Sequence, residues 1–78
     1  MTEEDAVLAY RRAIGRRLRE LRQQHAENQD DFADRIDVHR SYVGFLEGAK
    51  VDPKIGTLKK IALRLGMSLH EFLPPEEG

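Results

Sequence analysis

Apolar residues in this chain return at steps of three and four, the period of an α-helix, in five successive segments. Val7, Tyr10, Ile14, Leu18 and Leu21 form one narrow stripe and predict a long first helix over residues 4–24. Glu3, Glu4 and Asp5 place acids at its start, which suits the positive end of the helix dipole. Gly15 costs this helix about 1 kcal/mol relative to alanine and marks a place where another helix can come close. The segment QQHAEN over 23–28 has no apolar period and predicts a loop, with Asn28 as the cap of a second helix. Asp30 and Asp31 then fall in the first turn, where Asp31 can close a capping box. Gln29 takes the first helical position, where an amide side chain beside free backbone N–H groups suits a phosphate.

Phe32, Ala33 and Ile36 make the stripe of the second helix, and Val43 and Leu46 that of a third over Arg40–Glu47. Asp37 between them is the expected turn residue, because aspartate tolerates left-handed backbone angles, and Val38 then plugs inward under the corner. Two short helices across so tight a turn form a helix-turn-helix unit, whose second helix can enter a DNA major groove. Gly48-Ala49 ends the third helix and Pro53 stops the loop that follows. Ile55, Leu58, Ile61, Ala62 and Leu65 predict one face of a fourth helix closed by Gly66, with Lys59, Lys60 and Arg64 on its other faces. Ser68 and Glu71 form a capping box for a short fifth helix carrying Leu69, Phe72 and Leu73. Pro74-Pro75 should end the order, leaving a frayed tail over 74–78. The chain reads as one all-α domain, a compact five-helix bundle over 1–78 with its core at about 12–73.

Composition limits what such a bundle can be. Seventy-eight residues bury only about 60% of the surface the unfolded chain exposes, and with no cysteine there is neither a disulfide nor a thiolate metal site. His25, His39 and His70 share no ligand spacing, so no metal or other cofactor is expected. No apolar run reaches the length of a membrane span and the acidic start is no signal peptide, so the expected location is the cytoplasm. Net charge is −1, which permits nucleic-acid binding without demanding it. The distribution is more informative: residues 10–22 carry six arginines against Glu20, and residues 40–65 carry six basic groups against Glu47 and Asp52. Screening over about 8–10 Å lets such local patches act despite distant acids. The arginine run itself reads first as a solvated helix face.

Three stretches carry a family resemblance: Ile14-Gly15-x-x-Leu18-Arg19-x-Leu21-Arg22, Asn28-Gln29-Asp30-Asp31-Phe32-Ala33-x-x-Ile36, and Arg40-Ser41-Tyr42-Val43-x-x-Leu46-Glu47. With the register from Pro53 to Leu73, they resemble the Cro- and phage-repressor-like (XRE-type) helix-turn-helix regulators over residues 14–73. Within that family, HRSYVGFLEG is similar to the controller proteins of restriction–modification operons. The resemblance implies double-stranded DNA as partner, a roughly palindromic operator and a homodimer. It places His39, Arg40, Ser41, Tyr42 and Phe45 at base edges, Gln29, Lys50 and Lys54 on phosphates, and Arg22–Glu47 as a structural ion pair. Ala26-Glu27 stands where the family commonly has a glycine and an apolar residue, and Gly48 lies one position earlier than usual.

Arg40 is the strongest single candidate, since a guanidinium pairs with guanine O6 and N7 through two parallel hydrogen bonds. Phe45 could meet a thymine methyl or fold into the core, and Tyr42 could reach a phosphate or pack on the second helix. Met67, Leu69, Phe72 and Leu73 are more apolar than a short terminal helix requires. They suggest a dimer seam, with completion of the monomer core as the other reading and Val7 and Leu8 as an alternative seam. No nucleophile–base pair, phosphate-cradling loop or paired carboxylates can be identified, so neither an enzyme nor a small-molecule substrate is expected. The rival from another class is a protein-interaction module of the same fold, as in an antitoxin or anti-repressor.

Overall fold

The computed structural model describes residues 1–76. Five helices follow in order: α1 (Glu3–Gln24), α2 (Gln29–Ile36), α3 (Arg40–Glu47), α4 (Ile55–Arg64) and α5 (Leu69–Phe72). They enclose one core, in which Leu18, Phe32, Ile36, Val43, Ile61 and Phe72 are the largest fully buried side chains. At 1.5 Å per residue, the 22 residues of α1 nearly match the 37 Å long axis of the molecule. The buried residues of α1, Ile14, Gly15, Leu18 and Leu21, all lie in its C-terminal two thirds, where it packs on α3.

Several termini have a local cause. Thr2 and Asp5 form a capping box at the start of α1, and Ser68 and Glu71 form another at α5. Asn28 caps α2 by accepting from the Asp31 N–H at 2.8 Å. That cap runs one way, since among the described residues no return bond from Asn28 N–H to the Asp31 carboxylate is found. Asp37 takes the left-handed conformation, φ 56° and ψ 53°, and Val38 N–H then reaches back to Ala33 O at 3.0 Å. The α2–α3 corner therefore has the form its sequence predicts, with Val38 half-buried against the core. The close approach expected at Gly15 is also present: a Cβ there would lie 2.6 Å from Leu46 O and 2.7 Å from Glu47 O.

Two stripe positions differ from expectation. Val7 is 54% exposed and Ile55 66% exposed, because α1 overruns the bundle at its N-terminal end and Ile55 opens α4 ahead of its packed face. Phe72 is only 1% exposed. It completes the monomer core and presents no surface to a seam, while Met67, Leu69 and Leu73 lie half-buried over that core. Pro74 is held rather than frayed, its carbonyl accepting the Tyr10 hydroxyl at 2.8 Å. Residues 77 and 78 of the expected tail lie outside the described residues.

Candidate nucleic-acid interface

The eight residues of α3 divide by face. Val43 and Leu46 are buried, and Tyr42 is half-buried beside them; that burial raises the phenol's pKa. Arg40, Ser41 and Phe45 are exposed, Phe45 to 46%. Arg40, Gly44 and Gly48 succeed one another at one-turn intervals and so share one ridge. Over the bare backbone at Gly44 lies the Gln29 amide, 3.4–3.8 Å from where a Cβ would stand. Over Gly48 runs the aliphatic stem of Lys50, with Cγ 3.7 Å and Cε 3.8 Å from the corresponding point. One edge of α3 thus carries Arg40 from the helix itself, the Gln29 carboxamide from α2 and the Lys50 stem from the loop that follows. Lys54 is exposed at the N-cap position of α4, on the far side of the loop.

What fixes this row is buried charge. Arg22 donates to Glu47 through Nε at 2.7 Å and Nη2 at 3.0 Å, and Arg19 adds a contact at 3.4 Å. Gln29 Nε2 donates to the same Glu47 Oε1 at 3.3 Å, so the amide over α3 is steered by the last residue of that helix. The Glu47 side chain is 2% exposed. Burial by itself would raise its pKa, but the bonds from Arg22 and Gln29, with the arginine charge, bring it below the ordinary 4.5. Arg22 Nη1 also donates to Glu27 O at 3.1 Å, which ties the α1–α2 loop to the same hub.

Sequence reasoning missed two further arginines. Arg11 donates to Ala49 O at 2.8 Å and to Val51 O at 3.2 Å, holding the residues immediately before and after Lys50. Arg17 donates to Phe72 O and Glu71 O, each at 3.0 Å, and so closes the end of α5. Both flank the apolar stripe of α1, the one signal in the sequence that sets them apart from Arg12 and Arg16. Ala49 takes φ 55°, and Lys50 N–H then donates to Phe45 O at 2.8 Å. The left-handed position thus falls on the alanine and Gly48 remains near φ −87°, which accounts for the shifted glycine. Ala26 does the same at φ 53° after α1. His39 caps α3, its Nδ1 accepting from Ser41 N–H at 3.2 Å.

A tight α2–α3 corner, locked to a long helix by a buried carboxylate and presenting one edge of α3 outward, defines a helix-turn-helix domain. The helix-turn-helix family model HTH_3 matches residues 18–72, and the chain belongs to that family. The HTH-type transcriptional regulator PuuR of Escherichia coli (strain K12) is 38% identical over 65 residues, covering 83% of this chain. The chain spans 35% of PuuR's own length. Control protein C.MunI of a Mycoplasma species is 34% identical over 60 residues, which is 76% of this chain and 81% of that protein. Among solved structures, an HTH_3 family transcriptional regulator from Vibrio cholerae shares 29% identity at a TM-score of 0.76, over 85% of this chain and 37% of that one. A hypothetical transcription factor NHTF from Neisseria has the same fold at TM-score 0.76 and 23% identity, over 85% of this chain and 76% of that one.

Proposed function

We propose that this chain is a sequence-specific DNA-binding transcriptional regulator that lays α3 in the major groove and acts as a homodimer on a roughly palindromic operator. The observation that carries this reading is the row of polar side chains along α3. Arg40, the Gln29 amide and the Lys50 stem follow one ridge, and the major groove is wide enough to admit a helix edge-on. In that pose Arg40 pairs with a guanine, and Phe45 lies against a thymine methyl. Ser41 meets a neighbouring base, while His39 and Tyr42 border the groove. Gln29, Lys50 and Lys54 meet phosphates, which fix register without reading sequence. Two copies related by a two-fold axis read half-sites about 34 Å apart, joined through Met67, Leu69 and Leu73 above the buried Phe72. The naming of PuuR as a transcriptional regulator and of C.MunI as a control protein supports the same reading.

Gel retardation of duplexes selected from a randomised pool tests it. Arg40→Ala should lose about 1–3 kcal/mol and relax one position per half-site. No duplex binding at micromolar protein, or affinity indifferent to salt, would discard the DNA reading in favour of a protein-interaction module. Leu69→Glu should sediment as a folded monomer where the unmutated chain is a dimer; a surviving dimer would move the seam elsewhere.

A further inference from the structure

The ring that caps α3 also fixes the polarity of its neighbour. His39 Nδ1 accepts from the Ser41 backbone N–H at 3.2 Å, so that nitrogen presents its lone pair, and in the neutral ring the proton sits on Nε2. The same Nδ1 lies 2.7 Å from Ser41 Oγ. Only one hydrogen can stand between those two atoms, and with the ring neutral and protonated at Nε2 the serine hydroxyl donates it, sharing the single Nδ1 lone pair with the backbone N–H. A serine hydroxyl has one hydrogen and two lone pairs. With the hydrogen committed to His39, Oγ meets the surroundings of α3 as an acceptor alone.

We infer that the His39–Ser41 pair makes α3 select an exocyclic amino group, adenine N6 or cytosine N4, at the base next to the one Arg40 meets. In the major groove adenine and cytosine offer an amino donor, whereas guanine and thymine offer only acceptors at the corresponding edge. A free serine hydroxyl would rotate to suit either class; one held by Nδ1 must first give up that bond. Arg40 carries donors only, so adjacent residues read with opposite polarity, the arginine rejecting the amino edge that the serine takes. His39 is then a positioning residue, acting on specificity through Ser41, and both side chains are exposed on the helix edge where this matters. The inference rests on the DNA reading given above.

The test is selection from a randomised duplex pool with the full chain, its Ser41→Ala variant and its His39→Ala variant. The unmutated chain should enrich A or C on the read strand at one position per half-site, and Ser41→Ala should relax that position alone. His39→Ala, by freeing the hydroxyl, should admit G or T there while Ser41 is still present. Should that variant lose its α3 cap and unfold, the unmutated chain answers the question by itself. Replacing the selected base with its analogue bearing hydrogen in place of the amino group should weaken binding about five- to tenfold. Enrichment of G or T at the Ser41-dependent position, or no position that Ser41→Ala relaxes, would overturn the inference and leave the DNA reading standing. A pool in which nothing is enriched would overturn both.

Discussion

Gly15→Ala and Gly56→Ala are the same chemical change within a helix and should have opposite effects. Replacing glycine by alanine favours a helix by up to about 1 kcal/mol. At Gly56, in the first turn of α4, a new Cβ meets nothing within 4 Å, so that variant should gain about 0.5 kcal/mol. At Gly15 the Cβ would stand 2.6 Å from Leu46 O, 2.7 Å from Glu47 O and 3.1 Å from Glu47 C. Ordinary contact begins near 3.4 Å, so α1 and α3 must separate by about 0.7–0.8 Å, and the obstructing atoms are backbone that cannot rotate aside. A gap of that size forfeits about a quarter to a half of each lost dispersion contact, and overpacking of this kind costs about 1–3 kcal/mol. The same separation draws Arg22 away from Glu47. The net expectation for Gly15→Ala is a loss of about 1–2 kcal/mol, or about 5–15 °C in Tm for a domain of this size. Thermal and urea melts followed by circular dichroism at 222 nm would measure both variants. Equal or higher stability for Gly15→Ala would refute the reasoning, since it would mean that the α1–α3 contact is not at its limit.

Ala49→Gly should stabilise the domain by about 1 kcal/mol, because an L-residue held at φ 55° is strained and glycine is not; an unchanged urea midpoint would contradict this. Glu47→Gln should lose about 1–3 kcal/mol at pH 7 and flatten the acid limb of the stability curve. The folded-state pKa of Glu47 lies below 4.5, so its contribution is whole above the unfolded value and disappears as pH falls through the folded one. Urea titrations at a series of pH values should show the variant losing less stability than the unmutated chain over that range; parallel curves would place the acid sensitivity elsewhere. Lys50→Ala and Lys54→Ala should each weaken all duplexes alike and lower the slope of log affinity against log salt by about one. An unaltered slope would remove that lysine from the phosphate contacts.

Helix number, order and most boundaries were legible in the sequence because each rests on local chemistry. Apolar period, Asn28, the Ser68–Glu71 box, Asp37 and Gly66 act on neighbours within a few residues. What was not legible depends on where distant chain ends up. Val7 and Ile55 continue their stripes beyond the point where a partner helix stands opposite, and periodicity alone carries no information about that partner's extent. Arg11 and Arg17 differ from Arg12 and Arg16 only in flanking the stripe, and nothing local names the carbonyls they meet. Both are committed to those carbonyls by tertiary placement, whereas the Arg22–Glu47 pair was already implied by the family resemblance. For Phe45 the sequence left the core open and the structure exposes it, whereas the outward position of Arg40 and Ser41 was readable from the stripe of Val43 and Leu46. The Gln29 amide seated over Gly44 was not, since it needs the α2–α3 crossing to be known.

The side chains by which α3 is anchored, Val43, Leu46 and Glu47, are none of those it turns outward at Arg40, Ser41 and Phe45. Exchanging Arg40, Ser41 or Phe45 leaves Val43, Leu46 and the Arg22–Glu47 pair in place, whereas a side chain at Gly44 would meet the Gln29 amide that Glu47 holds. The frame and its outward side chains are therefore separable at three exposed positions, while Gly44 belongs to the frame.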